Sequence, residues 1–136
     1  MVSGTLNICS KAAHVLFDFG SSHSFISPAF ADVLHMSPKL LDCELWVSTP
    51  LGVILCAQWV YRSCVINIAG RELVADLILL HMHDFDAILG MDWLSTHHAV
   101  VECFEKHVVF HIPGLPPDRE IEFSIELLPG TGYYDF

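Results

Sequence analysis

The 136-residue chain predicts a mainly β domain, a small barrel or sandwich with two short helices. Three observations lead there. Apolar runs are short and strand-like, as in Val15-Leu16-Phe17 and Ala87-Ile88-Leu89. Turn signals interrupt them at close intervals, notably Thr49-Pro50-Leu51-Gly52 and Gly70-Arg71. Only two stretches carry helix signals, and both are brief.

Val2 to Ile8 and Ala13 to Asp18 read as strands, joined by turn residues from Asn7 to Lys11. Ser27-Pro28 then starts a helix, serine as N-cap and proline at the first helical position. That helix covers Pro28 to His35, with Phe30, Val33 and Leu34 expected inward and Ser37-Pro38 ending it. Glu44 to Ser48 and Val53 to Tyr61 form a hairpin around Pro50-Leu51-Gly52. Cys64 to Ala69 and Leu73 to Leu80 form another around Gly70-Arg71. Ala87-Ile88-Leu89 is a short strand stopped by Gly90, and Met91 to His98 a helix with Trp93 and Leu94 inward. Val100 to Cys103 and His107 to Ile112 make a last hairpin.

From Pro113 the texture becomes polar and proline-rich, and then Ile121 to Leu127 alternates strictly. A single extended segment cannot bury its own face. Residues 1–112 are therefore expected to be the domain, and 113–136 a loosely attached linker and fragment, or one lying along an existing edge.

Length and an apolar content of 53% suit one core. Six basic against sixteen acidic residues give −10, with no basic stripe, which argues against direct nucleic-acid binding. No basic-then-apolar leader and no uncharged run long enough to span a bilayer stand out. Five cysteines are scattered, odd in number and never in a C-x-x-C pair, so a disulfide framework is not indicated. The expectation is an intracellular, cytoplasmic protein with free, mostly buried thiols and no membrane contact.

One stretch stands apart. Val15-Leu16-Phe17 runs into Asp18, then Phe19-Gly20-Ser21-Ser22-His23-Ser24 turns the chain before Phe25-Ile26 resume. A carboxylate at the end of a buried strand is costly unless paired or hydrogen-bonded. From these residues alone Asp18 is either a turn cap or a catalyst.

Together with two further motifs in order, this stretch resembles the retropepsin-like aspartic protease of gypsy-type retrotransposon polyproteins. The resemblance covers nearly all of residues 1–114. Asp18 with Phe19, Gly20, Ser21 and Ser22 is similar to the catalytic loop; Thr49, Pro50, Leu51, Gly52 and Val53 occupy the place of the flap; Ile88, Leu89 and Gly90 match the hydrophobic-hydrophobic-Gly signature. The implied fold is a retropepsin-like acid-protease β-barrel with a flap hairpin and two short helices. Leu115 to Thr131 resembles the lead-in to the reverse transcriptase of the same polyproteins, reached without the usual connecting stretch, which implies a copy with an internal deletion and a premature end.

The resemblance also implies a mechanism. Two adjacent carboxylates cannot both ionise, so they share a proton; the ionised one activates a water and the protonated one hydrogen-bonds the substrate carbonyl. This chain offers a single motif, so the implied unit is a homodimer with one Asp18 per subunit, acting on peptide bonds of its own polyprotein. Substrate would lie extended under the flap, with Leu51 and Val53 lining its pockets. No cofactor is implied. Phe19 departs from the family, which has Ser or Thr there to brace the two loops across the dimer. The alternative is therefore a catalytically dead remnant that keeps the fold.

Other motifs carry less. Asp18-Phe19-Gly20 spells the kinase magnesium motif but lacks the Gly-rich loop, strand lysine and His-Arg-Asp loop. His81-x-His83 and His97-His98 have no Cys or carboxylate partner at zinc spacing, so no metal is expected. His23 is read as a turn hydrogen-bonder. Trp46, Trp59 and Trp93 are read as core or interface residues rather than base-stacking platforms.

Overall fold

The computed structural model describes residues 2–49, 52–68, 70–102, 107–110, 126–127 and 134–135. Strands β1 (Val2–Ile8) and β2 (Lys11–Phe17) form an antiparallel hairpin, tighter than expected, with only Cys9 and Ser10 between them. The loop after β2 leads to β3 (Phe25–Ile26) and then α1 (Pro28–Leu34). Strands β4 (Lys39–Ser48), β5 (Ile54–Ile68) and β6 (Arg71–Leu79) follow as antiparallel neighbours. Next come β7 (Ala87–Leu89), α2 (Met91–Thr96), and a separate ribbon of β8 (Ala99–Glu102) and β9 (His107–Phe110). Glu126–Leu127 (β10) pairs with β1, and Tyr134–Asp135 (β11) with β4.

Six strands close on themselves. The order β1-β2-β7-β3-β6-β5 returns to β1 through Asn7↔Asn67 and Ile8↔Ile66, giving a closed barrel with no free edge along the ring. β4 lies outside the ring, paired only along β5 within the first 102 residues. The expected mainly β class, barrel and two short helices are what the structure has.

Inside the ring, β7 lies between β2, to which it is parallel, and β3, to which it is antiparallel. Both faces of β7 and of the Val15–Phe17 end of β2 are covered. Ala13, Val15, Phe17, Ala87 and Leu89 join one core cluster, while Leu16 and Ile88 join the other. Strands buried on both faces need continuous apolar sequence rather than alternation, which is why Val-Leu-Phe and Ala-Ile-Leu recur.

Several local expectations are corrected. Residues 54–68 form one strand rather than the arms of two hairpins; Ser63, at φ 55°, marks the register shift between Tyr61 and Cys64 where β5 bends and continues. β4 begins five residues earlier than expected, because a register irregularity between Leu40 and Leu45 lets pairing continue past Glu44. On α1 the buried residues are Phe30, Ala31 and Leu34, while Val33 is 42% exposed. Cys64 is buried, but Cys43 and Cys56 are exposed on β4 and β5 and Cys9 is partly exposed, so among the described residues the thiols are not mostly buried. Trp93 and Leu94 are buried as expected, while Trp46 and Trp59, 49% and 40% exposed, lie outside the core. No helix among the described residues is long and apolar enough to cross a membrane.

Candidate active site

Asp18 follows the last residue of β2 and is only 1% exposed. Its backbone N–H donates to the carbonyl of Leu89 at 3.0 Å, extending the β2–β7 ladder by one residue. Its Oδ1 accepts from the Gly20 N–H at 2.8 Å. With the backbone tied to β7 and a carboxylate oxygen met by a fixed donor, Asp18 can be buried. Gly20 and Ser22 are exposed and Ser21 is buried, donating its hydroxyl to the His23 carbonyl at 2.8 Å. Phe19 points away from the core, 43% exposed.

The loop is fastened to the start of α2. Met91 N–H donates to the Ser21 carbonyl at 2.8 Å and Asp92 N–H to the Ser22 carbonyl at 3.2 Å. These are N–H groups that the first turn of a helix leaves without an intrahelical partner. Gly90 makes the approach possible: a Cβ there would stand 2.2 Å from the His23 carbonyl oxygen and 2.7 Å from that of Ser21. Ser24 completes the joint, its Oγ donating to Asp92 Oδ1 at 2.7 Å and accepting from Gly90 N–H at 3.0 Å. Trp93 N–H also donates to Asp92 Oδ1. Asp86, on the other flank, accepts from His14 N–H through Oδ2 at 2.8 Å. Asp86 and Asp92 are thus structural acceptors. His23 is a turn hydrogen-bonder as read, its ring nitrogen 3.3 Å from Ser22 Oγ and its carbonyl bonded by Ser21.

The structure therefore brings Asp18 to Ser22 and Ile88 to Gly90 into one assembly. The other expected cluster lies at the tip of the β4–β5 hairpin. Thr49 N–H and Oγ1 both donate to the Val53 carbonyl at 2.9 Å, and Gly52 N–H donates to the Thr49 carbonyl at 3.0 Å. Gly52 has φ 82°, a conformation that suits glycine. Val53 is exposed; Pro50 and Leu51 lie outside the described residues. Between the hairpin arms, β6 and the catalytic-loop candidate runs an open cleft of about 420 Å³. His23, Leu41, Glu44, Val60, Ile78 and Asp92 are among its walls, and Asp18 is not.

The Ser24–Asp92 joint was not anticipated. Its partners are 68 residues apart. Asp92 in the first turn of a helix is a recognisable local preference, but nothing local points it at Ser24. Among the described residues no group of three or more His, Cys, Asp or Glu is placed to hold a metal ion.

A family model described as retroviral aspartyl protease matches residues 1–113. No curated protein matches the chain. Among solved structures, the crystal structure of the retroviral protease-like domain of Ddi1 from Leishmania major aligns with a TM-score of 0.67 at 13% identity. The alignment covers 95% of this chain and 95% of that one, a likeness of fold.

Proposed function

The chain belongs to the retroviral aspartyl protease family and has a retropepsin-like fold, and from that premise we propose that it supplies half of a dimeric aspartic endopeptidase. The observation that carries this reading is Asp18: a buried carboxylate at the end of β2, oriented by Gly20 N–H and tied to Leu89. Two such loops meeting on a two-fold axis would place two carboxylates together, able to share one proton. The ionised member accepts a proton from water as it attacks the peptide carbonyl, and the protonated member donates to the carbonyl oxygen. Substrate would lie extended beneath the β4–β5 hairpin acting as a flap, with Thr49, Pro50, Leu51, Gly52 and Val53 above it.

Phe19 favours a second reading, a folded remnant without activity. The family's hydroxyl at this place is missing and a ring replaces it, once in each subunit of the pair. The same premise extends to origin: a gypsy-type retrotransposon polyprotein, whose own junctions would be the substrate. Residues 1–112 would be the protease domain, and 113–136 a linker followed by a reverse-transcriptase lead-in.

Cleavage of an unstructured protein at acidic to neutral pH separates the readings. Activity in the parent that falls at least about 10²-fold in Asp18→Asn supports the protease. A silent parent with activity recovered in Phe19→Ser identifies one inactivating lesion. If neither cleaves, the remnant reading holds.

A further inference from the structure

At the end of β2 opposite Asp18, three sulfur atoms converge from three elements. Met36, just after α1, places its Sδ 3.9 Å from the Sγ of Cys9, in the β1–β2 turn, and 3.9 Å from the Sγ of Cys64, on β5. Cys64 is fully buried, whereas Cys9 and Met36 are partly exposed, so the cluster is walled by core on one side and reachable from the other. We propose that Cys9, Cys64 and Met36 form a three-coordinate site for a soft monovalent metal, Cu(I).

The spacing suits that ion. Each cysteine sulfur, 3.9 Å from Met36 Sδ, would make an angle of about 116° with it at a metal held about 2.3 Å from both, near the 120° of a trigonal site. Thiolates and thioethers select Cu(I). A tetrahedral zinc site would need further nitrogen, thiolate or carboxylate ligands, and no group of three or more such residues gathers among the described residues. The expectation of no metal counted His, Cys and carboxylates; the third ligand here is a methionine.

The backbone around the cluster is unusual as well. Of the five non-glycine residues with positive φ among those described, four adjoin it: Cys9 at 49°, Ser10 at 66°, His35 at 55° and Ser63 at 55°. Each has a structural role: Cys9 and Ser10 make the two-residue β1–β2 turn, His35 caps α1, and Ser63 bends β5. A short hydrogen bond from Cys9 N–H to the Val65 carbonyl, 2.7 Å, holds the turn against β5. Binding is a ligand exchange without redox change: Cu(I) gains two thiolates and one thioether, and two thiol protons pass to solvent.

The test uses the reduced full chain with Cys43, Cys56 and Cys103 changed to serine, so that only Cys9 and Cys64 remain. Cu(I) is added without oxygen in competition with a chromophoric Cu(I) chelator. One retained equivalent is expected, with a sulfur-to-copper charge-transfer band and an X-ray absorption shell of three sulfurs. Met36→Leu, nearly volume-conserving, and Cys9→Ser, at a partly exposed turn, should each weaken retention at least tenfold while circular dichroism stays native. A folded parent that retains no copper overturns the proposal, as does equal retention in both variants.

Discussion

Gly90 has no room for a side chain, because two carbonyl oxygens of the Asp18 loop occupy the space a Cβ would take. The neighbours are backbone, so they cannot rotate aside. Gly90→Ala is expected to cost about 3 kcal/mol, read as a lower urea midpoint at unchanged m-value, and to abolish any proteolysis. Ser24→Ala should cost about 1–3 kcal/mol, since Asp92 Oδ1 and Gly90 N–H both lose the same partner. Cys64 gives a pH effect in the reduced, metal-free protein. Burial first, then Cys9 and Asp76, push its thiol up to about 12. Below about pH 8.5 both folded and unfolded chains keep the proton, and the stabilisation is complete. As pH rises from there toward 12 only the folded state keeps it, so stability falls by up to ~1.4 kcal/mol per pH unit. Urea titrations between pH 7 and 10.5 should show this slope, and Cys64→Ala should flatten it. At this scale the legible residues were those with a local reason: Asp18 ending an apolar run, and glycine closing another. Ser24 to Asp92 was not, because a bond across 68 residues leaves no local pattern.

Elements were legible where sequence and packing impose the same period. α1 is set by Ser27, whose Oγ accepts from Phe30 N–H at 3.2 Å, and by Pro28 behind it. For so short a helix the cap matters, and Ser27→Ala should lower stability by about 1 kcal/mol, measurable as a shift in midpoint. Val33 was misplaced because the helical stripe is wide enough to admit either neighbour, and Ala31, small and only 4% exposed, faces the core instead. In the sequence β5 divides at Arg62-Ser63, between a strand ending at Tyr61 and one starting at Cys64. In the structure Ser63 N–H donates to Asp76 Oδ1 at 2.9 Å and Arg62 meets Asp76 Oδ2 at 3.2 Å, so the cross-strand carboxylate holds the bend and the strand continues. At the hairpin tip, Gly52→Val puts a β-branched residue at φ 82°. The expected cost is about 1–3 kcal/mol, local to the hairpin. Hydrogen exchange should quicken for amides of β4 and the first half of β5 and stay unchanged in β2 and β7; uniform acceleration would show that the hairpin is not a separable unit.

At the scale of the molecule, the closed ring explains how one chain can fix the Asp18 loop by itself while the proposed site still needs a second copy. Closure through β1 and β5 fixes β2, β7 and β3 from both sides, so Asp18 is positioned by the subunit alone. The proposed mechanism takes its second carboxylate from a partner copy, and in that dimer Phe19 sits beside the axis on both sides. Its 43% exposure in the subunit has two opposite consequences. An exposed ring favours burial on association, whereas two rings and two absent hydroxyls at one axis disfavour the close approach of the loops. Lost hydrogen bonding and overpacking are each worth about 1–3 kcal/mol and occur twice, about 4–12 kcal/mol in all; full burial of a Phe side chain is worth about 1.5–3 kcal/mol, so covering the exposed 43% of two rings returns only about 1–3 kcal/mol. The unfavourable side wins. Phe19→Ser should therefore tighten the dimer at least about tenfold, given ~1.4 kcal/mol per factor of ten. Sedimentation across a dilution series reads this directly: the variant should persist as a two-chain species at concentrations where the parent, 15.2 kDa per chain, runs alone. Activity per chain should rise with concentration along the same curve. Equal dimer constants for the two proteins would remove Phe19 from the account of assembly and leave its effect, if any, within the subunit.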